Sequence, residues 1–359
     1  MKVVFAGLSV TSSWGNGHAT NYRALMRSLE RRGHDVVFLE RDVPWYAAER
    51  DMPEPPWGRT FLYSSVDELG ERFGDEIAAA DLVVVGSYVP DGVAAAELIL
   101  DRARGVTAFY DIDTPVTLAK LERGDNEYLA AELVPRFDLY LSFTGGPTLG
   151  VLEQRWGARN AQAFYCLVDR EAYPETPRHV RWDLGYLGTY SDDRQPILEE
   201  LLIDPARRAH YRRFVVAGPQ YPDTIAWPGN VERLEHVPPA QHPAFYAGQR
   251  FTLNVTRADM RRAGWSPSVR LFEAAACGVP VISDRWRGIE DIFVPGEEIL
   301  LADSADDVLL FMERLSADEA RGIGTRARKR VLREHTAERR IEQLERLVRA
   351  VPSREPRTG

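Results

Sequence analysis

The chain keeps returning to one pattern: a short apolar run rich in β-branched or aromatic residues, a stretch long enough for a helix, then another such run. KVVFAGL (2–8) is the first, followed by DVVFLER (35–41), DLVVVGS (81–87), GVTAFYDID (105–113) and FDLYLSF (137–143). A run that is apolar at successive positions, not only alternate ones, is buried on both faces, as in a parallel strand covered by helices on either side. Residues 19–32 supply one such cover, with Tyr22, Leu25, Met26 and Leu29 at helical spacing before Gly33 ends the pattern. Strand, helix, strand in repetition implies a doubly wound parallel sheet.

The pattern then restarts. FYCLVDREAYPETPRHVRWD (164–183) is rich in proline and charge and reads as an interdomain linker. Beyond it come LGYLGTY (184–190), RFVVAGPQ (213–220), VERLEHV (231–237), FTLNVTR (251–257) and VPVISD (279–284), and a long charged helix is predicted over 316–350. The expected fold is α/β: two Rossmann-like domains, 1–170 and 171–335, facing across a cleft that is the natural place for a ligand. The 359-residue length suits two domains of ordinary size. The tail SREPRTG (353–359) is expected to fray.

Composition narrows the function classes. No apolar run is long enough to span a bilayer, and MKVVFAGLSV reads as a first strand running into a glycine-containing loop, with no cleavage site of a leader. Cys166 and Cys277 sit in apolar surroundings and read as reduced, buried thiols of a cytoplasmic protein. A formal charge of −9 argues against nucleic acid as a partner. The basic stretches RRAHYRR (207–213) and RARKRVLREH (326–335) read as solvated helix faces, the second leaving room only for weak contact with an acidic membrane surface.

One segment carries chemistry. In SPSVRLFEAAACGVPVISD (266–284), the Ser266 hydroxyl and Pro267 form a helix start, and Gly278 and Pro280 a stop, giving a helix over 267–277. Its unpaired amides and dipole favour an anion, phosphate above all. Glu273 lies about two turns in, on the side of Val269 and Arg270, where a carboxylate can accept both hydroxyls of a ribose. Alternatively, Arg270 and Glu273 simply pair on a solvated face. The pattern alone leaves both open.

This segment resembles the C-domain signature of group 1 glycosyltransferases, in the branch similar to the spore-maturation protein CgeB. YDIDTPVTL (110–118), FDLYLSFTGGPTL (137–149) and YLGTYSDDR (186–194) match that branch in the same order. The resemblance implies a GT-B architecture and a hexosyltransferase with a nucleoside diphosphate sugar, UDP-linked, as donor and a hydroxyl compound as acceptor. It implies a C-terminal helix within 336–359 that crosses back to the N-domain; no metal and no further cofactor are expected. Carried over by position, Glu273 binds the ribose, and Ser266, Pro267, Ser268, Val269 and Arg270 form the helix start facing the diphosphate. Gly188, Thr189 and Arg194 form the loop after the first C-domain strand, Gly218 flanks the nucleotide in VAGPQY (216–221), and Arg257 is a second cation for phosphate. HVPPAQHPAFY (236–246) lines the base pocket. Many members of the wider superfamily carry a second glutamate eight positions before the first; here that position is Trp265. This departure motivates the rival expectation of a nucleotide-sugar-binding protein without turnover.

On the N-domain side, Asp111 and Asp113 stand at the end of a buried strand. Three roles compete for them: holding a divalent metal, orienting sugar or taking an acceptor proton, and capping the helix that Thr114 and Pro115 begin. A helix dipole with arginines can neutralise a diphosphate without an ion, which disfavours the metal. SSWGNGHATNYR (12–23) resembles the family's first βα loop. Gly15 and Gly17 allow close backbone approach, Trp14 and Asn16 join them as acceptor contacts, and His18 is a further candidate base. Tyr88 in SYVPDG (87–92) adds to the acceptor side. The loop lacks the spacing of a dinucleotide fingerprint, so a nicotinamide enzyme is not expected.

Overall fold

The computed structural model describes residues 1–352, and the expected frayed tail (353–359) lies outside them. The chain forms two compact units, one built from Met1–Tyr165 and the chain from Ala337, the other from Cys166–Thr336.

The first unit holds a seven-stranded parallel sheet. Its strands are β1 (Lys2–Gly7), β2 (Asp35–Arg41), β3 (Arg59–Tyr63), β4 (Leu82–Gly86), β5 (Val106–Asp111), β6 (Leu139–Ser142) and β7 (Ala161–Ala163), in the order β3-β2-β1-β4-β5-β6-β7. The central runs are valine-rich and buried throughout, Val3 pairing with Val36 and Leu82, because helices cover both faces. The order reverses between β1 and β4, so the loops after these strands open the crevice where doubly wound sheets bind ligands.

The second unit repeats the plan with β8 (Trp182–Leu187), β9 (Phe214–Ala217), β10 (Val231–Leu234), β11 (Gln249–Asn254), β12 (Val281–Asp284) and β13 (Leu300–Ala302), ordered β10-β9-β8-β11-β12-β13. Its switch point lies between β8 and β11. Each unit has its own apolar core, one around Val83, Phe109 and Tyr140, the other around Leu184, Phe214 and Ile282.

Several expectations are corrected. The strands read as ending at 257 and 190 stop at Asn254 and Leu187, where the chain turns to build loops. The helix expected over 316–350 is two, Ala317–Glu334 and Ala337–Ala350. The first starts on a reciprocal capping box between Ser316 and Glu319. It ends where His335 stacks on Phe272, ring centroids 4.4 Å apart, and accepts a hydrogen bond from the Val168 amide at 3.0 Å. The second helix packs on the first unit. There Arg340 and Gln343 donate to the carbonyls of Tyr165 and Ala163, and Glu345 accepts from Arg32 at 2.8 Å and pairs with His34 at 2.9 Å.

Candidate functional site

In the second unit, the 266–284 segment folds as helix Val269–Ala276, two residues shorter at its start than expected. Ser266 is buried ahead of the helix, Pro267 offers its carbonyl to the Cys166 thiol, and Ser268 takes the cap position. The Ser268 hydroxyl does not cap; it donates to Asn254 Oδ1 at 2.7 Å, a partner supplied by the end of β11. Ser268 therefore leaves the first helical amides without a cap from its own side chain, and they face outward from Val269 with their partial positive charge.

Arg270 and Glu273 do not pair. Arg270 reaches the other way, donating through Nε to the Leu187 carbonyl and through Nη1 to Asn254 Oδ1 at 3.1 Å, with its guanidinium 4.7 Å over the Tyr186 ring. That fixes a cation at the mouths of β8 and β11. Glu273 is only 6% exposed. Its Oε1 accepts from Tyr173 at 2.6 Å and its Oε2 from Tyr246 at 3.4 Å, with His242 Nδ1 3.8 Å away. Burial raises both phenols well above their usual range, so they stay protonated donors. A carboxylate has about four acceptor sites, and two tyrosines leave room for a diol.

Two glycines allow the loops after β8 and β9 to meet. A side chain at Gly218, where φ is +140°, would lie 2.1 Å from the Gly188 carbonyl, and one at Gly188 would strike Arg270 and Tyr186. Beside them Arg194 donates to the Thr189 carbonyl at 2.7 Å, while its buried Nε has no acceptor among the described residues. The surface ion pair that Arg194 could have made is absent there: Asp192 accepts from Tyr190, and Asp193 from the Ala258 amide. Arg257 lies 3.9 Å from Asp193. Tyr221 donates to the Gly188 carbonyl at 3.1 Å, and Arg233 covers its ring at 4.2 Å. Gly188, Gly218, Ser268 and Arg270 thus converge on one spot, with Thr189, Arg194 and Arg257 in the adjoining loops.

In the first unit, Asp111 and Asp113 take different places. Asp111 is fully buried, accepting from Tyr140 at 2.6 Å, Thr117 at 2.8 Å and the Asp113 amide at 3.3 Å. Burial pushes its carboxyl up to about 6 against those hydrogen bonds. Asp113 is half-buried and accepts from Tyr88 at 2.9 Å. It occupies the cap position of helix Thr114–Glu122, but its side chain does not cap. Tyr88 sits at φ +64°, a strained position for a tyrosine, with its ring 5.7 Å from His18 and 4.7 Å from Tyr128. Desolvation lowers His18 to about 3, so its ring is neutral at physiological pH. His18, Tyr88, Asp113 and Asp111 form one chain of contacts.

The loop ahead of His18 is held by β2 at its start and by its own side chains beyond. Glu40 accepts from Ser9, the amides of Val10 and Thr11, and the Thr11 hydroxyl. Asn16 spends its amide on the Ser12 carbonyl and the His18 amide, so it shapes the loop. Trp14, Gly15 and Gly17 are exposed, Gly15 at φ +58°. No group of three or more His, Cys, Asp or Glu side chains placed for a metal ion occurs among the described residues.

Sequence reasoning missed Tyr173 and Tyr246 as supports of Glu273, since both come from distant chain, Tyr173 from the supposed linker. It missed Tyr140 for the same reason, and Thr117, six residues on, because its hydroxyl turns back to Asp111 from the helix.

Residues 194–346 match the family model described as Glycosyl transferase-like. No curated protein matches the chain by sequence. Among solved structures, Anabaena Alr3699/HepE in complex with UDP and glucose superposes with a TM-score of 0.70 at 12% identity, covering 98% of this chain and 100% of that one. Sucrose-phosphate synthase from Thermosynechococcus elongatus gives 0.66 at 14% identity, covering 97% and 98%. An alpha-glucosyltransferase in complex with UDP and a 13-mer DNA gives 0.71 at 12%, covering 97% and 99%. The chain has the GT-B glycosyltransferase fold, two Rossmann-like parallel-sheet units, over nearly its whole length.

Proposed function

We propose that this chain is a metal-independent glycosyltransferase, moving a hexose from UDP to a hydroxyl acceptor. The observation that carries the reading is the helix Val269–Ala276. Its uncapped amides meet Arg270, Gly188 and Gly218 at one end, and Glu273 waits about one turn deeper on a buried tyrosine pair. That arrangement suits a nucleoside diphosphate: phosphates at the amides and guanidinium, ribose hydroxyls at the carboxylate. The family match over 194–346 includes this helix, and structures of the same fold are complexes with UDP.

In this reading Cys166–Thr336 is the donor unit. The developing charge on the leaving diphosphate is met by fixed dipoles and by Arg270, Arg194 and Arg257, positioned before reaction. The first unit takes the acceptor beside Trp14, Gly15, Gly17 and Tyr88. Asp113, half-buried and oriented by Tyr88, is the base that an inverting transfer would use; Asp111 is enclosed and His18 is too weakly basic. The CgeB-like branch and a cytoplasmic location belong to the same proposal. No helix among the described residues is long and apolar enough to cross a membrane. The net charge of −9 favours a small-molecule acceptor over nucleic acid.

A second reading rests on Trp265. It stands where an acid is common, at φ +44°, donating to Asp291 at 2.6 Å. A protein that binds the nucleotide sugar without turnover is its consequence. A thermal-shift panel of UDP, GDP, ADP and TDP sugars, with UDP release measured against acceptor hydroxyls, separates the two. Stabilisation by UDP sugars, lost in Glu273→Ala, with UDP released, is expected. Equal stabilisation of that variant would refute the donor site, and binding without release under any condition favours the second reading.

A further inference from the structure

Beside the convergence of Gly188 and Arg270, at the ends of β11, β12 and β13, lies a pocket of about 690 Å³ that the proposed nucleotide contacts do not use. Its size is that of a small-molecule site. Four arginines line it, Arg261, Arg262, Arg285 and Arg287, against three acids, Asp193, Glu290 and Asp303. The lining thus carries one more arginine than acid, on a chain whose net charge is −9.

Asp259 neutralises Arg262, so the other three arginines carry the argument. Arg287 makes no ion pair among the described residues; its guanidinium lies 5.3 Å from the Trp265 ring. Arg261 has only Asp284, at 3.8 Å. Asp284 is 3% exposed and fixed through Oδ1 by the Thr256 amide and hydroxyl, while Oδ2 has no hydrogen bond among the described residues. It therefore holds Arg261 at the pocket wall through a loose ion pair without a hydrogen bond. Arg285 pairs with Asp303 at 3.1 Å, but both are more than half exposed, and such pairs exchange readily for a better anion. Trp286 lines the pocket, 4% exposed, and its buried indole N–H has no acceptor among the described residues.

Position completes the case. A donor laid along helix Val269–Ala276 from Glu273 toward its start runs next toward Trp265 and the arginine stacked on it. Asp193 joins the phosphate loop to the pocket wall, since it also binds the Ala258 amide.

We infer that this pocket takes an anion-bearing sugar, its carboxylate or phosphate held by Arg261, Arg285 and Arg287. The inference rests on the reading of the second unit as a sugar-nucleotide site, and names the sugar class that site serves. The anion can be part of the donor, as a hexuronate, or of the acceptor, as a hexose phosphate.

The test is calorimetric, with the full chain and its Arg261→Gln and Arg287→Gln variants. One arm compares UDP, UDP-glucose and UDP-glucuronate; the other compares glucose, glucose 6-phosphate and inorganic phosphate. UDP-glucuronate binding about tenfold tighter than UDP-glucose, with the ratio falling toward one in both variants, places the anion on the donor. The same preference for glucose 6-phosphate over glucose and over inorganic phosphate places it on the acceptor. Melting temperatures of the variants within a degree or so of the parent, expected for exposed arginines, keep folding out of the comparison. No preference in either arm, a preference that survives both substitutions, or phosphate alone binding as well as glucose 6-phosphate overturns the inference. Failure of UDP itself to bind refutes the donor reading of the Glu273 helix instead, and the glucose 6-phosphate arm then decides alone.

Discussion

Replacing Asp111 by asparagine should stabilise the first unit at neutral pH and destabilise it in acid. Asp111 is fully buried, and burial raises its carboxyl from 3.8 to about 6. That rise corresponds to ~3 kcal/mol of unfolding free energy. The unfolded chain releases the proton near 3.8 and the folded unit near 6, so between these values the native state holds the extra proton. The stabilisation is fully present below the lower value and is lost as pH rises through the higher one. The asparagine of the Asp111→Asn variant cannot ionise and is spared that loss. Its oxygen still accepts from Tyr140, but its NH2 replaces the oxygen that accepted the Asp113 N–H, and the unmet donor costs ~1 kcal/mol. The variant should therefore be ~1–2 kcal/mol more stable than the parent at pH 7.5 and ~1 kcal/mol less stable at pH 3.5. For a unit of this size the gain is ~2–8 °C in melting temperature. Scanning calorimetry of both proteins across pH measures it, other titrating groups cancelling in the difference. A variant that melts below the parent at pH 7.5, or a parent–variant difference independent of pH, would sink the reasoning.

The opposite slope is expected at Glu345. Hydrogen bonds from Arg32 and His34 hold its carboxyl at about 2, below the usual 4.5, so the helix it anchors is fully supported above the higher value and loses support as pH falls toward the lower. The melting difference between parent and Glu345→Gln should accordingly shrink below about pH 4; a difference that grows in acid contradicts the anchor. Gly218→Ala should lower the second unit's stability by ~2 kcal/mol or more and abolish UDP binding, since its methyl would lie 2.1 Å from the Gly188 carbonyl at a φ of +140°. Parent-like melting and UDP titration for this alanine variant would show that the two loops do not meet as described.

The central strands were legible because burial on both faces writes itself as unbroken apolar sequence. β3, β7 and β13 were not. β3 and β7 are the two edges of the first sheet and β13 an edge of the second, and β7 and β13 are three residues each. An edge strand is only partly covered, so RTFLY carries little more apolar signal than a loop. The helix start shifted for a tertiary reason: Asn254 claims the Ser268 hydroxyl, and no local pattern announces that. The partners of Glu273 come from residues 173 and 246, so its burial could not be read from its neighbours. Asp111 and Asp113 were read together because their spacing is short; the chain leaves the strand after Asp111, and the two separate, one inward and one toward Tyr88.

The division of the charged tail into two helices has a consequence for biogenesis. Because helix Ala337–Ala350 inserts into the first unit, through Glu345 against Arg32 and His34, that unit is assembled from chain on both sides of the second unit. During synthesis Cys166–Thr336 emerges with every part it needs, while the amino-terminal sheet waits for its last piece until residues 337–350 clear the ribosome. The later-made unit can thus mature first, and a nascent chain stopped after Thr336 would leave the earlier one with an uncovered face.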